Sequence, residues 1–333
     1  LVDDLGMSDS FGPSRGIASS RWIILRGGKH RISPATILKI GAFGFLRGAF
    51  NSRKVGSSVL DVLQNREIAD AMTLGIVNDT ADQVDANFLF PSLTGFGPKA
   101  PVSRRSLQKK ISKSYPIFTP RKGSLASLEG GMEDIIRVLH DTISKMGNVE
   151  IILENGEGGP EELSSAYDIP ISSMIWTSSL PGRDHGETTL SVFAVGFQEE
   201  EVSGVEIGYG TLIPDPNTPI SGILHESDIH SSRRAPEGHR LFRLMVPHTR
   251  WDGNEQTVKE ALRVLNGFSG EPAIFRRIGE RAIPRYPPGY LSSLKNYAGD
   301  LSLAGWTGSG VSVTHVVDEA ERISELFTRL QKD

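Results

Sequence analysis

The chain reads as an α/β (α+β) protein with a mixed sheet. Five apolar or alternating runs have strand character, three amphipathic stretches have helical character, and a strand leads through a glycine-rich turn into the closing helix. With 333 residues, 38% of them hydrophobic, the chain can bury sizeable cores and suits two domains better than one. A net charge of −4 gives no whole-protein attraction to nucleic acid, so no nucleic-acid partner is expected. The absence of cysteine removes disulfides, thiolate nucleophiles and cysteine-held metal clusters.

Trp22-Ile23-Ile24-Leu25 is a short apolar run closed by Arg26-Gly27-Gly28-Lys29, which predicts a strand entering a turn. The segment Ile37 to Phe50 is too short to span a bilayer and contains Lys39 and Arg47. With Arg53 and Lys54 it could lie in a membrane interface or pack as an ordinary helix. Val59, Leu60, Val62, Leu63, Ile68, Ala69 and Met72 recur at helical spacing. From Ser103 to Lys122 the chain is basic and reads as a solvated linker. Gly130-Gly131 opens a helix whose stripe is Met132, Ile135, Ile136, Leu139 and Ile143, with Glu133 and Asp134 in the favourable first turn.

Strands are then expected at Val149 to Leu153, Met174 to Leu180, Leu190 to Phe197, Val205 to Ile213 and Leu241 to Val246, with a polar turn from Glu154 to Glu162. A helix near Glu255 to Leu265 precedes a strand at Leu301 to Gly305 and a helix from about Val316 to Leu330. The turn Gly305-Trp306-Thr307-Gly308-Ser309-Gly310 offers unhindered amides at a positive helix end, which suits an anion or a flavin edge. His225, His230, His239 and His248 form a loose group without ligand-pair spacing, and no G-x-S-x-G elbow or phosphate loop occurs.

Leu303-Ala304-Gly305 followed by Gly310-Val311-Ser312-Val313 resembles the "LAG…G" closing turn of the flavin amine oxidase superfamily, in the form found in protoporphyrinogen oxidases. Ile283-Pro284-Arg285-Tyr286 upstream looks like their "IPQY" segment, and Gly208-Tyr209-Gly210-Thr211-Leu212-Ile213-Pro214 resembles their "GFGxLVP". Gly222 to Asp228, Phe90-Pro91-Ser92-Leu93, Gly130-Gly131-Met132, Arg21-Trp22-Ile23 and Leu1 to Gly6 match further short motifs in the same order. Asn78-Asp79 stand where the family has a small residue and glycine, and Arg285 stands where it has Gln.

The resemblance implies a truncated flavin amine oxidase-like fold with FAD as cofactor, a porphyrinogen substrate and molecular oxygen as oxidant. Residues 1–16, 121–185 and 286–333 would belong to the FAD-binding domain, 17–120 to a helical membrane-associating domain, and 186–285 to a substrate-binding sheet. Arg21 matches the propionate-pairing arginine, while Tyr209 and Leu212 match residues that sandwich the ring, with Met245 on the same wall. Ala304, Gly305, Gly310, Val311, Ser312 and Val313 would line the cofactor. A peripheral membrane location follows, at the mitochondrial inner membrane in a eukaryote or the cytoplasmic face of the inner membrane in a bacterium, and a homodimer is compatible. The family's opening G-x-G-x-x-G strand is absent from these residues, so by themselves they are expected to bind FAD poorly or not at all. Two other readings stay open: a non-catalytic homologue that binds a tetrapyrrole or protein, and another flavin amine oxidase relative such as a carotenoid desaturase.

Overall fold

The computed structural model describes residues 1–25, 28–33, 54, 56–90, 125–153, 158–179, 185–230, 232–265, 267–297, 301–308 and 312–330. The interfacial segment Ile37 to Phe50 and the basic linker to Lys122 lie outside them, as do Gly310 and Val311. Among the described residues no helix is long and apolar enough to cross a membrane.

Among the described residues eleven strands run in chain order: β1 Phe11–Pro13, β2 Arg21–Leu25, β3 Gly28–Arg31, β4 Ala126–Leu128, β5 Ile175–Trp176, β6 Glu187–Gln198, β7 Gly210–Leu212, β8 Gly222–Leu224, β9 His239–Pro247, β10 Ile274–Pro284 and β11 Ser302–Leu303. Seven of them form a mixed sheet in the order β10-β6-β9-β8-β7-β2-β3, antiparallel except for the β2–β7 pair. The hairpin β2–β3, from the segment read as helical and membrane-associating, thus extends the sheet built by residues 187–284.

Alternation along β6 and β9 makes the sheet two-faced. Phe193, Val195 and Phe197 pair across with Leu244, Phe242 and Arg240, and all six are buried. Their face packs on Val258 and Leu262 of the helix Glu255–Val264, and Val202, Val205 and Phe268 close the core. Asn254 caps that helix by accepting from the Gln256 amide at 2.9 Å. The opposite face carries Val192, Ala194, Leu241, Arg243 and Met245, which are only half-buried.

The second core belongs to the helices Val59–Leu63, Arg66–Leu74 and Ala86–Leu89. Ser58 and Asp61 cap the first, Gln64 ends it at φ 57°, and Asn65 caps the second. Val59, Val62, Phe88 and Leu89 pack on Tyr286, Tyr290, Leu291 and Leu294. The two layers are joined by Asp85, fully buried, whose carboxylate accepts from the amides of Asn87 (2.8 Å), Phe88 (3.0 Å), Gly289 (2.9 Å) and Leu291 (3.4 Å).

Several expected elements differ. Val149 to Leu153 is exposed and is not a strand, and among the described residues none of the strands pairs with it. The expected strand at Met174 to Leu180 is confined to Ile175–Trp176, paired in parallel with β11, itself two residues long rather than five. Only Gly210–Leu212 of the run Val205 to Ile213 is strand, since Val205 turns into the core. The polar turn to Glu162 contains the start of a helix, Pro160–Tyr167, with proline at its first position. The whole of β10 lay outside the expected strands.

Candidate active site

A cavity of about 230 Å³ opens on the half-buried sheet face. Arg21, Tyr209, Leu212 and Met245, drawn from β2, β7 and its lead-in, and β9, all line it. Strand pairing brings them together: Arg21 pairs with Gly210, Leu212 with Gly222, and Gly222 with Met245. Cross-strand partners share a face, so these residues form one patch. The Arg21 guanidinium lies over the Tyr209 ring, with Cζ 4.6 Å from its centroid, and stands exposed at the mouth.

Two glycines flatten the floor. In the β7–β8 pair, Gly210 faces Leu224 and Leu212 faces Gly222, so large and absent side chains alternate. A Cβ on Gly210 would meet the Ile223 carbonyl oxygen, so the backbones approach too closely for any side chain. The roof comes from the end of the helix Arg66–Leu74 and the turn after it: Leu74, Gly75, Ile76 and Asn78 also line the cavity. A Cβ on Gly75 would lie 3.4 Å from Leu212. Asn78 sits in the left-handed region at φ 56° and accepts from the Ser221 hydroxyl at 2.7 Å.

Ser221 was not singled out in the sequence, while Gly222 and Ile283 were named only within motifs and Leu190 only within an expected strand, none of them as a site residue. The unusual Asp79 and Arg285 turn out to be neighbours, with Asp79 Oδ2 3.5 Å from Arg285 Nη1 while accepting from Thr188 Oγ1 at 2.8 Å.

Beyond Tyr209 and Leu224, which line both spaces, the cavity continues into a groove of about 490 Å³. Its apolar walls include Met132, Ile229, Leu241 and Ile278, and its polar groups are Glu226, His230, Arg234 and Arg243. Glu226 is buried and holds Arg243 at 3.1 Å and His230 at 3.4 Å. Burial lowers the His230 pKa, opposed by the Glu226 charge. Behind the groove, buried Arg240 donates to Asp228 at 2.8 Å and to the carbonyls of Val202 and Val205.

The turn expected to meet the cofactor follows β11 and rests on the helical core. The Ala304 amide donates to the Trp176 carbonyl at 2.9 Å, and Gly305 turns the chain at φ 79° against Thr177. A Cβ there would lie 3.1 Å from the Thr177 carbonyl oxygen, so the position needs glycine for space as well as for φ. Tyr286 and Tyr290 donate their hydroxyls to the carbonyls of Trp306 (3.1 Å) and Thr307 (2.7 Å), fixing the turn from beneath. Burial pushes the Tyr290 pKa up to about 12 and raises that of Tyr286 further. Ser312 then caps the helix Val313–Leu330 through the His315 amide, Val313 is exposed, and His315 Nδ1 is buried with no hydrogen-bond partner among the described residues. An exposed helix start that follows a glycine turn in the chain, with a buried nitrogen in its first turn, fits a polar group of a flavin. Ala304 and Gly305 lie in the turn after β11 and Ser312 and Val313 at the start of the closing helix, and none of the four lines the cavity.

No family model matches the sequence, and no curated protein matches it. Solved structures do match in fold. A protein described as a protoporphyrinogen oxidase from Exiguobacterium has 14% identity and a TM-score of 0.59 over 98% of this chain and 83% of its own. A reduced UDP-galactopyranose mutase has 12% identity and a TM-score of 0.56 over 98% of this chain and 80% of its own. A triple mutant of putrescine oxidase, redesigned in cofactor binding, has 12% identity and a TM-score of 0.54 over 98% and 84%. At these identities the likeness establishes the fold.

Proposed function

We propose that the chain is the substrate-binding and cofactor-capping part of a flavin-dependent oxidoreductase of the amine oxidase superfamily, which oxidises protoporphyrinogen IX to protoporphyrin IX. The observation that carries this reading is the cavity: three residues named from scattered motifs and Met245 from a neighbouring strand line one apolar, glycine-notched space with an exposed guanidinium. A macrocycle bearing propionates needs an apolar floor for the ring and a cation for the acid. Leu212 and Met245 supply the floor, Tyr209 the aromatic wall, and Arg21 the cation, whose planar fork suits a carboxylate.

FAD, when bound, would supply the hydride acceptor, with molecular oxygen as the final oxidant. Ala304, Gly305, Ser312 and Val313 would hold it, together with Gly310 and Val311, which precede Ser312 in the sequence. The chain's own tasks are to stack and orient the ring, to anchor its acid and to keep the Gly305 turn in place through Tyr286 and Tyr290. The basic-edged apolar segment Ile37 to Lys54 is proposed as a peripheral membrane contact. Detergent- or lipid-dependent solubility would support that, and a monodisperse sample without detergent would argue against it.

The reading is tested by supplying protoporphyrinogen IX to the flavin-loaded protein, expressed with a G-x-G-x-x-G segment, and following porphyrin fluorescence. Oxidation that depends on flavin supports the enzyme. Tetrapyrrole binding without flavin absorbance or turnover would favour a non-catalytic homologue, and turnover of a polyamine or carotenoid instead would move the chain to another branch of the superfamily. Replacing Arg21 by Ala should weaken substrate use more than flavin content, and unchanged kinetics would remove Arg21 from the site.

A further inference from the structure

The cavity and the groove beyond it share one sheet face, and one row of that face runs across four strands. Arg21 on β2 pairs with Gly210 on β7, Gly210 with Leu224 on β8, and Leu224 with Arg243 on β9. Neighbouring strands lie about 4.8 Å apart, so the row sets the two arginines roughly 14 Å apart at their Cα atoms. Between them lie a glycine and a leucine, and the next row is Leu212, Gly222 and Met245. A cation therefore stands at each end of an uncharged floor. Arg21 lines the cavity and Arg243 the groove, and the two spaces meet at Tyr209 and Leu224.

Arg243 is tethered but not committed. Its side chain is 42% exposed, and its ion-pair partner Glu226 has a second polar neighbour, His230, whose Nε2 lies 3.4 Å from the other carboxylate oxygen. If Arg243 turned toward a ligand, Glu226 would keep the His230 ring beside it and would not be left without a polar partner. An arginine held this way can exchange one carboxylate for another at modest cost.

We propose that Arg243 is a second anion anchor of the site, so that the ligand is a flat apolar molecule carrying two acidic groups separated by the row's span or less. This rests on the reading of the cavity as the substrate site and adds to it a specificity residue on a different strand. Glu226 occupies the anchor in the free protein, and the second acid of the ligand displaces it.

The test uses three probes that differ only in charge: protoporphyrin IX, its monomethyl ester and its dimethyl ester, titrated into the 333-residue protein by tryptophan quenching. The protein should bind the diacid about tenfold more tightly than the monoester. Arg243→Ala should erase that gap while leaving the affinity for the diester unchanged. Glu226→Gln, which frees Arg243, should tighten the diacid and not the diester, and Arg243→Lys should restore part of the gap. Equal loss of all three probes in Arg243→Ala would mean a damaged floor and overturn the proposal, as would a gap that survives the substitution. Selectivity that depends on Arg21 but not on Arg243 defeats this inference alone, whereas binding of none of the three defeats it together with the reading of the cavity.

Discussion

The sheet with its helix Glu255–Val264 and the region around the parallel pair β5–β11 are built from equally amphipathic sequence, yet they are buried very differently. Between Glu187 and Pro284 four large apolar side chains are exposed, among them Ile207 and Ile278. Between Met132 and Ile175, a stretch less than half as long, there are ten, with Ile136 at 65% and Leu153 at 87%. The helix Glu133–Ser144 buries only Ile135, and the helix Val313–Leu330 buries only Ile323 among its described side chains. The difference lies in what each element meets. β6 has long antiparallel partners on both sides and a helix on one face, whereas β5 and β11 pair over two residues. Parallel pairs depend on cover from both faces, so two residues of pairing give little independent stability. Amphipathic periodicity thus makes a helix or strand, and its burial is decided by neighbours far away in sequence.

The largest expected effect sharpens that contrast. Phe242→Ala removes a fully buried ring packed against Phe197 and Phe268 and should cost about 3–5 kcal/mol in urea denaturation. A cost below about 1 kcal/mol would show that the sheet core is no better consolidated than the β5–β11 region. Asp85→Ala comes next, since it strips four amides of their acceptor and unties the helical layer from the Tyr286 to Leu291 segment. A loss of about 2–4 kcal/mol is expected, with Asp85→Asn recovering part of it.

A third effect is carried by pH. His225 is 1% exposed, and its pKa is lowered, first by burial and despite Asp228 Oδ2 3.4 Å away. A depressed histidine favours the folded state above its unfolded value near 6.5, and that contribution is lost as pH falls through the folded value. Asp228 is depressed as well, so its own loss belongs to the more acid range below the usual carboxylate value. Denaturation midpoints should therefore decline from pH 7 toward pH 5, and His225→Asn should flatten that slope. A slope unchanged in the variant would assign the decline to other groups.

Legibility in the sequence followed the same division. β6 and β9 were readable because long runs of apolar residues, Leu190 to Phe197 and Leu241 to Val246, are interrupted by few polar ones, Arg243 among them. The helix Glu255–Val264 was readable from its spacing. β10 was not, because it is an edge strand whose solvent positions carry Arg276, Arg277, Glu280 and Arg281, the charges that protect an edge. Its register also shifts between Arg277 and Gly279, which breaks the period. Val149 to Leu153 has strand composition but pairs with no strand among the described residues, a fact held by no local residue. At the site, Arg21, Tyr209 and Leu212 were named through motifs and Met245 from the strand that follows, but their assembly rests on β2–β7 pairing across some 190 residues of sequence and on β8–β9 pairing, which periodicity cannot report. Asn78, Ser221 and Arg243 entered the site for the same long-range reason.

Smaller effects probe the seam between the layers and the open helix. Asp79 and Arg285, both unusual for the resembling family, face each other at 3.5 Å while partly exposed. A double-mutant cycle with Asp79→Ala and Arg285→Ala should give a coupling of about 0.5–1 kcal/mol. A coupling near zero would make their joint departure from the family pattern coincidental.

The smallest expected change is the most direct trial of the comparison. Ile136 lies on the apolar stripe of the helix Glu133–Ser144 and is mostly in solvent, so Ile136→Ser removes little buried surface. Its stability should change by no more than about 0.5 kcal/mol, while binding of a dye such as anilinonaphthalene sulfonate should fall because part of the open apolar surface has gone. Were the same substitution to cost as much as Phe242→Ala, this helix would be covered in solution, and the burial difference between the two regions would not describe the protein as it exists there.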